Sequence, residues 1–305
     1  MKNILAVNGD FMKVADFEKA DGLVVEGNLE LSNTAITHLP DNLKVGRNLY
    51  LSNTPITHLP NDLKVGGNLY LRNTPVTHLP DDLKVGGVLD LRGAPITHLP
   101  RGFEVGGDLD LRNTPITHLP DDLKVGVSLY LRGTKITHLP DDLKVGGALD
   151  LRDTPIAELP DDLKVGASLG LRGTRVTHLP NDLKVGGSLY LEYTPITELP
   201  GGLEVGFDLY LTSTKITELP DELNLGSYVY HSEHLILETK YYTYITGLFW
   251  PIKIYGKYIH IGCKKHTIDE WDKFTDKEIG DMDLEALEFW KEYKGFIMSE
   301  AQKSQ

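Results

Sequence analysis

Arginine stands at Arg72, Arg92, Arg112, Arg132, Arg152 and Arg172, one every twenty residues. Two residues before these lie Tyr70, Asp90, Asp110, Tyr130 and Asp150, with Gly170 before the last; the same column continues at Tyr50, Tyr190 and Tyr210. A guanidinium is a planar fork that matches a carboxylate or phosphate, and a tyrosine ring offers rigid contact area. The chemistry in this pattern is recognition: nothing in it makes or breaks a bond.

Two other groups could do chemistry. Histidine recurs at His38, His58, His78, His98, His118, His138 and His178, with Glu158, Glu198 and Glu218 in the same column. Stacked neutral imidazoles could chelate a metal, but no closed ligand set is present and glutamate replaces histidine freely, so a polar surface column is expected. His260, Cys263 and His266 fall at i, i+3 and i+6. That spacing suits a metal or a Cys–His nucleophile only weakly, and a structural role is expected. No catalytic residue, metal site or cofactor is therefore assigned.

The elements that must position the arginines are legible in the repeat. Leu-Pro recurs from Leu39-Pro40 to Leu219-Pro220 without a break in its twenty-residue spacing. A fixed short period means a solenoid whose rungs stack on one another. One rung, LKVGRNLYLSNTPITHLPND from Leu43 to Asp62, has apolar Leu43, Val45, Leu49, Leu51, Ile56 and Leu59. Leu49-Tyr50-Leu51 alternates as a half-buried strand does. Rungs this short predict stacked parallel strands and an extended return path through Leu-Pro-Asp-Asp-Leu-Lys. Strand stacking would set the arginine roots about 4.7–4.9 Å apart. Each adjacent like pair then costs about 1 kcal/mol even at bulk-water screening. Asp90, Asp110 and Asp150 can offset this for Arg92, Arg112 and Arg152, whereas Arg72, Arg132 and Arg172 have no acid in their own rung.

Three further columns report on the backbone. Glycine is invariant from Gly46 to Gly226 within the array, implying positive φ or close backbone approach. Asn33, Asn53, Asn73, Gly93, Asn113, Gly133, Asp153 and Gly173 share tolerance of the left-handed region, so Tyr193 in that column implies strain. Threonine follows at 34, 54, 74, 114, 134, 154, 174, 194 and 214, with Ala94 as the gap. A hydroxyl ladder satisfying backbone groups from rung to rung is expected, leaving one group unsatisfied at Ala94 at about 1–3 kcal/mol.

The L-x-L, threonine and Leu-Pro pattern over residues 23–226 resembles the leucine-rich repeat, and its short unit is similar to the twenty-residue repeats of bacterial effector proteins. Threonine replaces that family's usual asparagine, and glycine its first leucine. The resemblance implies a parallel β-sheet solenoid of about ten rungs, an extended convex side, and partner binding on the concave strand face.

The chain has 305 residues and a formal net charge of −13. That balance, with the interleaved aspartates, weighs against a long polyanionic partner. A single cysteine permits no intrachain disulfide. No apolar run approaches the roughly 18 residues needed to span a bilayer, and the opening MKNILAVNGDFMK carries no signal-peptide core, so a cytoplasmic protein is expected.

After Gly226 the period fails. Tyr228–Tyr230 reads as one last strand, with polar His231 at the end of the apolar stack. Residues 234–239 and 242–246 are strand-like, and 252–261 reads as a hairpin turning at Gly256-Lys257. Thr267-x-x-Glu270 and Thr275-x-x-Glu278 are capping boxes that start helices, and Leu284–Met298 has helical apolar spacing. This segment resembles the C-termini of uncharacterised bacterial and phage repeat proteins, a likeness that supplies no activity. It is too short for the ubiquitin-ligase domain of the effectors.

The expected organisation is an N-terminal cap over 1–22, a leucine-rich-repeat-like solenoid over 23–226 and a small α/β cap over 227–305. The expected function is a non-catalytic scaffold that binds a protein through Arg72, Arg92, Arg112, Arg132, Arg152 and Arg172, Tyr50, Tyr70, Tyr130, Tyr190 and Tyr210, and Asp90, Asp110 and Asp150. Nucleotide or nucleic-acid binding on the arginines and an enzyme in the C-terminal segment are the alternatives.

Overall fold

The computed structural model describes residues 4–7 and 10–303, with side chains from Lys13 onward. The parts of the expected N-terminal cap at 1–3 and 8–9 lie outside the described residues. An antiparallel hairpin, Ile4–Val7 with Asp10–Lys13, precedes a single helical turn, Val14–Phe17. Phe17 is fully buried in the solenoid core.

The repeat builds a parallel β-solenoid. Each rung contributes two strands of two residues, such as Lys44–Val45 and Leu49–Tyr50. Like strands from successive rungs pair in register, giving two parallel sheets of eleven strands, one from Leu29–Glu30 to Val229–Tyr230 and the other from Val24–Val25 to Asn224–Leu225. The second sheet lies on the return side, whose backbone is extended as expected. Leu-Pro-Asp-Asp is extended and turned, as Leu63 N–H donating to Pro60 O shows, but the Lys-Val pair that follows forms a ladder of its own. Strand length hides this ladder in the sequence: two residues carry no period-2 signal.

Between the sheets, the repeated Leu, Val and Ile columns form one continuous core, with Leu49, Leu51 and Ile56 fully buried. The glycine column exists for close approach. None of these glycines has positive φ. A Cβ on Gly166 would instead fall inside the contact shell of Gly146 O in the rung before. Gly146 is the exception, since its Cβ would lie 3.4 Å from Gly126 O.

The threonine column corrects an expectation. Each hydroxyl donates within its own rung, to the leucine carbonyl three residues back, as Thr54 Oγ1 does to Leu51 O at 2.7 Å. The backbone N–H of the same threonine donates to the same carbonyl. At Ala94 the N–H still reaches Leu91 O at 3.0 Å, so that carbonyl keeps one donor rather than none.

The last rung is covered by a five-stranded antiparallel meander: Ile236–Glu238, Thr243–Ile245, Ile252–Tyr255, Tyr258–Ile261 and Lys264–Thr267. The hairpin turns at Gly256, with φ 48°. Both capping boxes form and start helices Ile268–Lys273 and Asp276–Gly280, and an eighteen-residue helix, Ala286–Lys303, follows. The meander has two chemically distinct faces. Ile245, Ile252, Ile254 and Ile259 pack with Trp271, Trp290 and Ile297 of the helices. Leu237 and Tyr244 join the solenoid core. His231 is therefore buried, at 7% exposure, and does not stand at an open end; its Nδ1 accepts from Glu233 N–H.

Candidate functional site

The arginines sit on a corner, two residues past the strand end. Leu51 O accepts from Thr54 N–H, closing a four-residue turn whose third residue, Asn53, has φ 58°. The position before it is Ser52 in this rung and arginine in the six rungs from Arg72 to Arg172. The left-handed column is as expected, including Tyr193 at φ 58° and Ser213 at φ 60°. Positive φ shapes the corner, and the corner fixes where each arginine starts.

Buried carboxylates fix where three of them end. Asp90, Asp110 and Asp150 are only 3%, 6% and 6% exposed. Arg112 Nε donates to Asp110 Oδ1 at 2.9 Å and Nη2 to Oδ2 at 2.6 Å, and the Arg112 backbone N–H reaches the same carboxylate. Arg152 on Asp150 and Arg92 on Asp90 repeat the clamp, and Arg92 Nε also lies 3.3 Å from Asp110. The hydrogen bond each guanidinium donates to its aspartate pushes its pKa up, against a smaller opposing effect of burial. The aspartates, expected among the partner-binding residues, are covered by their own arginines. Their part is to hold the forks.

Of the other three arginines, two look to the next rung. Arg132 Nε donates to Asp153 at 3.0 Å, an exposed pair. The Arg172 guanidinium lies 5.3 Å from the ring centre of Tyr193. Arg72 has no carboxylate partner among the described residues. Arg72, Arg92, Arg112 and Arg132 together line one open groove of about 530 Å³, with Asn73, Gly93 and Asn113 between them.

The tyrosines form two stacks. Tyr50 and Tyr70 are 4.8 Å apart and nearly parallel. Tyr190, Tyr210 and Tyr230 are spaced by 4.6 and 4.7 Å. Tyr130 stands alone under Arg112, 5.3 Å away. Tyr230 and Tyr193 extend this surface beyond the residues the repeat singled out. Tyr230 could have been found by counting one rung further, whereas the Arg172–Tyr193 contact crosses columns and has no periodic signal.

The Asn/Ser/Asp column preceding the strand is structural. Asn48 Oδ1 accepts from Asn68 N–H, and Asn68 Oδ1 from Val88 N–H. Asp108, Ser128, Ser168, Ser188 and Asp208 continue the ladder at 2.9 to 3.3 Å. Val88 and Ala148 are its gaps.

The histidine column lies on the exposed surface, each ring Nδ1 sharing a hydrogen bond with the threonine before it, as in Thr57–His58 at 2.8 Å. His260, Cys263 and His266 do not converge. His266 pairs across the sheet with Ile259, next to His260, so the two rings face opposite ways. His266 packs on Trp271 and Phe274, His260 bonds to Tyr255, and Cys263 is exposed in the turn between strands. The reason is the fifth strand, Lys264–Thr267. Among the described residues no group of three His, Cys, Asp or Glu could hold a metal.

Fold and surface together define a leucine-rich-repeat-like parallel solenoid with an arginine–tyrosine strip on one corner. No protein-family model matches the sequence, and no curated protein does. Among solved structures it is similar to YopM from Yersinia enterocolitica WA-314, at 20% identity and a TM-score of 0.38, over 70% of this chain and 59% of that one. No helix among the described residues is long and apolar enough to cross a membrane.

Proposed function

We propose that this chain is a non-catalytic protein-binding scaffold whose arginine strip takes an acidic segment of a protein partner, with the tyrosine stacks as flanking anchors. The observation that carries this reading is the groove lined by Arg72, Arg92, Arg112 and Arg132. A guanidinium has five N–H donors, and the aspartate clamp engages only those on Nε and Nη2. The Nη1 edges stay free for a second carboxylate. Because the clamped forks are already ordered, a partner loses less side-chain entropy in binding them than it would on flexible lysines.

An acidic peptide immobilised on a column tests this: the chain should be retained at low salt and released as salt rises. Heparin should retain it weakly, because Asp90, Asp110 and Asp150 interrupt the positive charge and the chain is acidic overall. Strong heparin retention with a steep salt slope would favour the nucleic-acid reading instead. Unchanged biological activity in a Cys263→Ala, His266→Ala variant would remove the enzyme reading. A role as an effector or inhibitor acting on a host protein, within the cytoplasm, is the finer proposal; it rests on the similarity of the repeat unit to those of bacterial effectors.

A further inference from the structure

The junction between the last rung and the meander holds a second, chemically different site. Leu237, Tyr244, Lys253, His260 and Lys265 are successive cross-strand neighbours, so they share one face of the meander. That face turns toward the solenoid end, where Tyr228 Oη lies 3.3 Å from His260 Nδ1 and donates to Gly262 O. A pocket of about 320 Å³ lies between them, lined by Ser227, Tyr228, Tyr242, Lys253, Tyr255 and His260.

Lys253 is the anomaly. It is 7% exposed, and no carboxylate or hydrogen-bond acceptor pairs with it among the described residues. Its ammonium sits 4.2 Å from the ring centre of Tyr242, 5.5 Å from that of Tyr244 and 6.0 Å from that of Tyr255. Ring faces offset only part of the cost of burying a cation, and burial alone pushes the Lys253 pKa down. A leucine or methionine would cap the solenoid without that penalty. The pocket's other titratable wall, His260, is pushed toward its neutral form by burial and by the charges of Lys265 and Lys253. No carboxylate lines the pocket; Asp208, one rung inward, is engaged with Tyr228 N–H. In a chain of net charge −13 this is a local positive hollow with hydroxyl donors around it.

We infer that the pocket between the last rung and the meander binds a small oxyanion, a carboxylate or a phosphate, on Lys253, with His260 held in the pocket wall by Tyr228 and Tyr255. The anion supplies the counter-charge that the fold omits at Lys253, and Ser227 lines the pocket beside it. This inference is independent of the arginine strip.

The test uses the full chain with inorganic phosphate and, separately, acetate, each against chloride at matched ionic strength. Saturable binding of either probe by calorimetry, with a rise in melting temperature, is the expected result, and the probe that binds identifies the source as phosphoryl or carboxylate. Lys253→Met should weaken that binding at least tenfold while leaving the unliganded protein as stable as the original or more so. His260→Gln should weaken it by less. Absence of saturable binding by both probes overturns the inference, as does undiminished binding in Lys253→Met. If Lys253→Met does not fold, Lys253→Gln decides alone: undiminished affinity there overturns the site.

Discussion

The Arg112 guanidinium is clamped by Asp110, two residues earlier in the same rung, through two nearly parallel hydrogen bonds of 2.9 and 2.6 Å. The carboxylate is buried and the fork is about a third exposed. Asp110→Asn should therefore cost about 1–2 kcal/mol in denaturant unfolding, less than a fully buried ion pair, because solvent screens the outer half of the fork. The same change should loosen Arg92, whose Nε also faces Asp110. No loss of stability would mean that the clamp is not formed in solution.

Glycine directly after the short strands of the second sheet is required by the carbonyl of the preceding rung, except at Gly146. Gly166→Ala should destabilise by about 1–3 kcal/mol or prevent folding, since the new methyl meets backbone that cannot move without shifting the ladder. Gly146→Ala is the internal control, with ordinary contact distance to Gly126 O. It should cost less than about 1 kcal/mol. Equal effects at the two sites in thermal unfolding would contradict the close-approach explanation.

At Ala94 the leucine carbonyl has one donor where other rungs supply two. Ala94→Thr should add about 0.5–1.5 kcal/mol of stability, and Thr114→Ala should remove a similar amount. Urea midpoints measured at constant slope would show both shifts.

Tyr210, Tyr228, Tyr230 and Tyr244 all have phenol pKa values raised above the ordinary 10.0, first by burial, with Tyr228 reaching about 12. Between 10.0 and the folded values the unfolded chain holds fewer protons than the folded one. Stability from these groups is thus complete below pH 10.0 and falls as pH rises above it. The phenolate absorbance of these four rings should be missing at pH 10.0 and appear only at higher pH, together with loss of circular dichroism. A Tyr210→Phe, Tyr244→Phe variant with clearly less phenolate absorbance than the original at pH 10.0 would contradict the burial of these rings.

The repeat made the solenoid legible because each column is constrained by one neighbour relation that recurs every rung. The left-handed corner, the Leu/Ile core and the Asp–Arg pairs are all of this kind. The Lys-Val sheet was not legible, because Lys44–Val45 is too short to show a period and its extended backbone resembles the return path. The threonine ladder was misjudged between rungs because sequence spacing cannot tell a bond within a rung from one across it. Arg132–Asp153 and Arg172–Tyr193 join different columns in adjacent rungs, so no single column announces them. His260 and His266 were candidates for one site until the strand Lys264–Thr267 put them on opposite faces of the meander.

The central claim is that the exposed guanidiniums recognise an acidic protein partner, and Arg72→Glu with Arg132→Glu tests it most directly. Arg72 has no carboxylate partner among the described residues and Arg132 has only an exposed one, so reversal should leave the melting temperature within a few degrees of the original. A protein captured by the unaltered chain from a lysate should be lost by this double variant, and its binding to the unaltered chain should weaken with salt. Undiminished capture of the same protein by the folded double variant would contradict the claim.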